Sequence, residues 1–420
     1  MVEPMEYLHR TVDQELDELL PHASAIALDG PKGVGKTDTA KRRASSMWFL
    51  DDPAQRAVAE ADFSLSTLAT GTVLIDEWQR LPAVWDSVRR QVDQGSPPGR
   101  FILTGSATPV DAAGTHSGAG RILSLRMRPM GLHERAIETP TVSLSKVLTG
   151  EHPEVRGETR ISLKDYAHQI AGGGFPGIMP VPPRLQRAML DAYLQRIIDR
   201  DLPEQGFEVR RPETLRRWLA AYAAATSTTA SYSRILDATT GGDGAQPAKT
   251  TTIAYRDHLT RLWLLDPIPG WIPANNAIRR LQQAPKHHLA DPALAARFLD
   301  LTATSLLSGA GAGMIGPLFE SLCALSVRIA AQASEARVRH LRTNAGEHEI
   351  DLLIEGVDGQ LVGAEVKLAP QVSSGDVQHL LWLRDQLPDQ VVDLMVLTTG
   401  TTAYRRSDGI AVVPLALLGA

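Results

Sequence analysis

The run Gly30-Pro31-Lys32-Gly33-Val34-Gly35-Lys36-Thr37 has two glycines separated by four residues, then lysine and threonine. Glycines at that spacing let backbone N–H groups curl around a polyphosphate. The lysine ammonium reaches the β and γ oxygens, and the threonine hydroxyl holds Mg²⁺. Asp38 follows in a predicted helix, whose positive dipole end strengthens the attraction. Gly30 through Thr37 together with Asp38 are therefore the expected nucleotide-binding set. A second group closes the apolar run Thr72-Val73-Leu74-Ile75 with Asp76 and Glu77. Asp76 is expected to share the metal with Thr37, and Glu77 to orient or deprotonate an attacking water. The apolar run Phe101-Ile102-Leu103 ends in Thr104-Gly105-Ser106. Thr104 or Ser106 is placed to sense a γ-phosphate, or its hydroxyl caps the next turn. Arg121, after Gly118-Ala119-Gly120, is read as an arginine finger for its own or a neighbour's nucleotide, against an ordinary solvated arginine.

A separate group lies near the C-terminus. Glu347 to Glu355 alternates as a strand, Gly356 to Gln360 turns, and Leu361 to Leu368 returns. A hairpin turning about Asp358 sets Asp351 opposite Glu365 and Glu349 opposite Lys367. Side chains alternate across a strand, so all four share one face. Two carboxylates that close need a cation, and Mg²⁺ bound by oxygen is the natural one. Glu320, a lone acid on the apolar helix Leu318–Leu325, supplies a further ligand. Lys367 would then help orient or deprotonate a water in metal-assisted phosphodiester hydrolysis. A surface hairpin with ordinary cross-strand ion pairs is the plainer alternative.

The elements that must position these residues are legible in part. Ser24 to Leu28 reads as a buried strand ahead of the glycine loop, and Asp38 to Ala44 as the helix after it. Leu8, Val12, Leu16, Leu19 and Leu20 recur at helical spacing and predict a leading amphipathic helix packed on the sheet. Met47 to Leu50 reads as a further strand. Strands alternating with helices imply a parallel sheet covered on both faces. Residues 140–165 read as a linker, and Gly172-Gly173-Gly174-Phe175-Pro176 as a structural turn rather than a second phosphate site. Tyr193 to Leu202 is helical. From Arg216 to Leu265 three helical stretches are broken at Gly241-Gly242-Asp243-Gly244. Ser231 to Leu236 and Thr250 to Leu259 suggest a helix-turn-helix, the second helix opening on a threonine cap and showing Tyr255 and Arg256. That helix is poor in basic residues and carries Asp257, so a packing role is favoured over a DNA groove. Arg210, Arg211, Arg216 and Arg217 form a small basic run, read chiefly as a solvated face.

At 420 residues, 43% hydrophobic and 22% charged, the chain suits two or three globular domains. A net charge of −5 argues against a general polyanion binder, so any nucleic-acid contact must be local. The single Cys323 excludes an internal disulfide framework. The N-terminus is acidic and polar, and no uninterrupted apolar stretch approaches membrane length, so the cytoplasm is the expected compartment, with no membrane contact.

Taken together, Gly30–Thr37, Val73–Glu77, Leu103–Ser106, Gly172–Pro176, Lys286–Pro292, Glu320, Asp351 and Glu365-Val366-Lys367 resemble a prokaryotic set of AAA+-type ATPases. That set carries a C-terminal restriction-endonuclease-like, PD-(D/E)xK domain. Ile350 stands where the superfamily's name has proline. The resemblance implies an α/β chain in three parts: a P-loop NTPase parallel sheet over 1–140, a helical winged-helix-like module over 160–285, and an α/β nuclease-like domain over 286–420. It implies ATP and Mg²⁺ as cofactors, DNA as a possible partner, and a protein partner or homo-oligomer. No Asn/Thr-Lys-x-Asp motif points to GTP, and no substrate lid for a small-molecule kinase is visible. A nucleotide-dependent switch or scaffold with an inactive nuclease-like fold is the alternative.

Overall fold

The computed structural model describes residues 7–62, 70–106, 118–239, 247–273, 284–343 and 346–420. Its first sheet contains β1 (Ala25–Asp29), β2 (Ser46–Phe49), β3 (Val73–Asp76), β4 (Phe101–Gly105) and β5 (Leu123–Arg126). The order is β2-β3-β4-β1-β5 with every pair parallel. The central strands β1, β3 and β4 are apolar almost throughout because both faces are covered. Alternation sends Ile26, Leu28, Leu74 and Ile102 into one core, and Ala25, Ala27, Val73, Ile75, Phe101 and Leu103 into another. The first of these cores is shared. It runs on through Leu190, Trp218 and Leu294 to Leu322, Leu352 and Met395. The leading helix, Thr11–Leu19, joins it through Val12 and Leu16, and its Glu15 accepts a hydrogen bond from Gln332 far along the chain.

The stretch read as a linker is structured. It contributes β6 (Val142–Ser143) and β7 (Gly157–Glu158), strands too short to leave a periodic signal. The C-terminal strands are β8 (Arg337–Arg342), β9 (Glu349–Glu355), β10 (Leu361–Lys367), β11 (Val391–Thr398), β12 (Thr402–Arg405), β13 (Ala411–Pro414) and β14 (Leu418–Gly419). They form a sheet ordered β7-β12-β13-β11-β10-β9-β8, while β14 pairs with β6. The helix Ile315–Ala333 covers one face, meeting Leu352, Ile354 and Val362, and the helix Gln378–Gln386 covers the other, meeting Leu353 and Leu361. By length and apolarity the segment Gly309–Ala333 passes as a membrane span, an exception to the sequence reading, yet 72% of its apolar window is buried inside the structure. It is the central core helix.

Between the two sheets lie the helices Leu163–Gly172, Pro183–Arg196, Pro212–Ala224, Tyr232–Thr239, Lys249–Arg261 and Pro292–Phe298. The three helical stretches expected after Arg216 are present; the Gly241–Gly244 turn lies outside the described residues. Two details of the helix-turn-helix reading are corrected. The second helix is capped by Ala248 with no side-chain bond, and Tyr255 is buried beside Phe207 and Trp218 rather than displayed. An aromatic on the inward stripe of a short helix is worth more as core than as a probe.

Candidate functional site

Strand register brings the first site together. Asp29, where β1 meets the glycine loop, lies level with Gly105, and Asp76 lies level with Thr104. The loop therefore opens at the carboxyl ends of parallel strands, the usual place for ligands in such sheets. Gly33 and Gly35 take left-handed conformations, with φ of 76° and 96°. A Cβ on Gly30 would stand 2.0 Å from the Met127 carbonyl oxygen, so only glycine fits there.

Lys36 is buried and donates to the carbonyl oxygens of Gly30 and Pro31, each at 2.8 Å. Burial lowers its pKa to about 8, against the opposing pull of Glu77, Asp76 and Asp29. The Thr37 hydroxyl donates to Asp76 Oδ1 at 2.8 Å, and the Thr104 hydroxyl donates to the same oxygen. Burial raises the Asp76 carboxyl above its ordinary range. A buried acid held by two hydroxyls at the mouth of a phosphate loop fits a Mg²⁺ shell, so Thr37 and Asp76 are the residues that would hold it. Bound there, the ion would neutralise charge on the phosphates.

Glu77 sits at φ 53°, a left-handed conformation rare outside glycine. Ser106 Oγ donates to one carboxylate oxygen at 2.8 Å, and the Gln79 amide donates to the other. The two sensor candidates thus divide: Thr104 serves Asp76 and Ser106 serves Glu77. Asp38 is exposed in the first helical turn, 3.9 Å from Lys41, and lines the cavity described next.

Several residues of this site escape sequence reading. A cavity of about 410 Å³ opens beside Gly35, lined among others by Tyr7, Leu8, Arg42, Met127, Met130 and Pro176. The Arg42 guanidinium lies 3.7 Å from the centre of the Tyr7 ring. Its size and position, next to the phosphate cradle, suit a nucleoside. Arg10 braces the loop, donating to Val34 O at 2.7 Å and Arg128 O at 2.8 Å. Leu8 points into the cavity rather than along the leading helix, which begins only at Thr11. The helical region closes over the other side. Lys32 pairs with buried Asp201 at 2.6 Å, and Arg80 with Glu204 at 3.5 Å. Asp201 ends a π-helical turn, Ile197–Asp201. Phe175 and Pro176 approach Gly33 and Gly35, so the Gly172–Pro176 turn is a packing element, as expected.

Arg121 is placed differently. It precedes β5, whose Leu123 lies level with Ile26 near the start of β1, at the end of the sheet away from the glycine loop. There it pairs with Asp93 at 2.9 Å. A role on its own chain's nucleotide is thereby ruled out, because the strand length separates the two.

The C-terminal hairpin keeps the expected register where its strands are paired, but the ladder stops short of Asp351–Glu365 and Glu349–Lys367. The observed ladder sets Leu361 against Glu355 and Ala364 against Leu352. Beyond it the strands part, and Asp351 Oδ2 takes the Val366 N–H at 2.9 Å. The helix Ile315–Ala333 brings Glu320 to the same point. What occupies that point is a lysine. Lys286, 1% exposed, donates to Glu320 Oε1 and Asp351 Oδ1 at 2.9 Å each, and stands 3.3 Å from Glu349 Oε1. The three carboxylates hold its ammonium firmly in the charged form and raise its pKa. Burial and nearby Asp351 push the Glu365 carboxyl well above the usual range; its Oε2 lies 3.4 Å from Lys367 and its Oε1 has no hydrogen-bond partner. Glu320, Asp351 and Glu365 were expected to ligate Mg²⁺ with Lys367 beside it. The arrangement does not fit that ion, because the carboxylates converge on an ammonium. Among the described residues no group of three or more His, Cys, Asp or Glu side chains is disposed to hold a metal.

The fold and first site define the class: the N-terminal region has a P-loop NTPase fold, followed by a helical and an α/β region. Residues 22–136 match the family described as AAA domain. Residues 163–305 and 315–418 match two families each described as a domain of unknown function, DUF8612 and DUF4143. Uncharacterized proteins of Mycobacterium tuberculosis and Mycobacterium bovis are each 27% identical over 420 residues, covering 96% of this chain and 83% of theirs. Among solved structures, a Walker-type ATPase of Pyrococcus abyssi aligns with 70% of this chain and 96% of its own, at 13% identity and a TM-score of 0.42. The ORC2 protein of Aeropyrum pernix aligns with 73% and 96%, at 16% identity and a TM-score of 0.33.

Proposed function

We propose that the chain binds and hydrolyses ATP with Mg²⁺, in the cytoplasm, and uses nucleotide state to reposition its helical region. The observation that supports this most is the relay at the loop mouth: Thr37 and Thr104 on Asp76, and Ser106 on Glu77, facing a buried Lys36. In this reading the amides of Gly33 to Thr37 cradle the phosphates and Lys36 leaves its carbonyl partners for the β and γ oxygens. Glu77, fixed by Ser106 and Gln79, takes a proton from the attacking water. Lys32 and Arg80 carry the state of the loop to Asp201 and Glu204. Phosphate-release assays on purified protein test the assignment. Lys36→Ala should lose turnover by about a hundredfold or more, and Glu77→Gln should bind nucleotide but not turn it over. Wild-type turnover in Lys36→Ala would end the proposal.

The partner side of this reading is DNA or a second protein, contacted through the exposed Arg210, Arg211 and Arg217 of the helical region, and an oligomer in which Arg121 faces a neighbour's nucleotide. Nucleic-acid stimulation of turnover, lost in Arg121→Ala without loss of nucleotide binding, is the expected signature. A second reading, a nucleotide-dependent switch or scaffold without nuclease chemistry, is favoured by the lysine among the C-terminal acids. Tight ATP binding with very slow turnover would select it.

A further inference from the structure

We infer that Lys286 is the resident cation of the C-terminal carboxylate cluster, standing where a nuclease of this type would hold a divalent metal. This half of the molecule therefore takes no divalent ion, cleaves no phosphodiester, and serves as a charge lock joining three segments. The inference does not depend on ATP turnover.

The geometry carries it. An ammonium has three N–H donors and no acceptor. Here Glu320 and Asp351 accept at 2.9 Å each, and Glu349 lies 3.3 Å away, so each donor has a carboxylate. Asp351, the acid central to a metal site, has both oxygens engaged, one by Lys286 and the other by the Val366 N–H. A divalent ion on those same oxygens would sit against the ammonium with nothing to screen the repulsion. Lys286 is anchored at its backbone. Its backbone is bonded in both directions to Ile268, its N donating at 2.8 Å and its O accepting at 2.9 Å. The neighbouring Gly270 bridges to His340 in β8, so the lysine arrives on a ribbon that continues the edge of the C-terminal sheet. The cluster thus ties ribbon, core helix and hairpin at one point. Glu349 is shared with Arg342 at 3.6 Å, and Glu365 with Lys367 at 3.4 Å, so the remaining acids also have basic neighbours from the protein.

Mn²⁺ titration of the nucleotide-free full chain, followed by the electron paramagnetic resonance of free ion, tests this. Wild type and Asp351→Asn should bind the same amount of Mn²⁺ at millimolar ion. Lys286→Met should gain one Mn²⁺ per chain and lose it again in Lys286→Met with Asp351→Asn. One Mn²⁺ more in wild type than in Asp351→Asn would overturn the proposal, as would Asp351-dependent cleavage of single-stranded, duplex or branched DNA by wild type. Should Lys286→Met fail to fold, the wild-type comparison still decides. The variant Lys286→Met with Glu320→Gln and Asp351→Asn, freed of the unbalanced charge, should then recover a cooperative melt; its failure to fold would count against a lock made of charge.

Discussion

Two buried lysines sit at two clusters of acids, and they are opposites. Lys36 is bonded to neutral carbonyl oxygens of its own loop, with Asp76 and Glu77 acting only at a distance, and burial depresses its pKa. Lys286 is surrounded by carboxylates, and their charge outweighs a similar burial and raises its pKa. The first ammonium has weak partners that an incoming phosphate can replace. The second already has three anions. The residue type is the same; the charge of the acceptors decides whether a lysine awaits a ligand or stands in for one.

The largest effect should come from breaking the saturated member. Lys286→Met leaves buried carboxylates without a cation and should cost about 3–5 kcal/mol of stability. Lys36→Met removes a charge that the nucleotide-free fold disfavours, and should leave the melting temperature unchanged or raise it. Thermal melts of the two variants side by side check the contrast; equal losses would dissolve it. Next in size is pH. The folded value for Lys36, about 8, lies below the ordinary 10.5, so the fold prefers the neutral amine. The penalty for burying its charge is therefore full below the lower value and is relieved, with stability rising, as pH climbs between the two. Nucleotide binding demands the ammonium, so ATP affinity should fall by about tenfold per pH unit above 8, with one proton taken up on binding. Calorimetry in buffers of different ionisation enthalpy measures that uptake, and Lys36→Arg should abolish it. The smallest effect concerns the contact over the loop. Asp201→Asn should cost about 1 kcal/mol or less, because Lys32 is partly exposed, yet it should change turnover more than nucleotide affinity. Steady-state kinetics would show a kcat change at near-constant KM.

The amino-terminal site was legible because its signals are local. A glycine loop, a strand ending in two acids and a strand ending in a hydroxyl each span a few residues, and parallel register lines them up. The hairpin was legible for a similar reason, since a tight turn fixes which residues face each other. Lys286 was not. Its partners Glu320 and Asp351 are 34 and 65 residues away, beyond any periodicity. The sequence marks it only as the head of the Lys286–Pro292 motif and as a solitary charge in the otherwise uncharged run Leu281 to Ala290, neither of which shows its partners. Arg10 and Tyr7 were missed because they precede the first regular element and reach the loop only through the folded chain. The choice between Arg121's own nucleotide and a neighbour's was open for the converse reason: an arginine after a glycine could serve either until strand direction shows which end of the sheet it occupies.

Met127 has a consequence beyond its own packing. Its carbonyl oxygen leaves no room for a side chain on Gly30, its terminal methyl lies 3.7 Å from where a Cβ on Gly35 would be, and it lines the neighbouring cavity. One residue thus works as a caliper, setting how far a base can stand from the phosphates that follow it. A ligand with a longer or shorter span between those ends would meet one jaw before reaching the other.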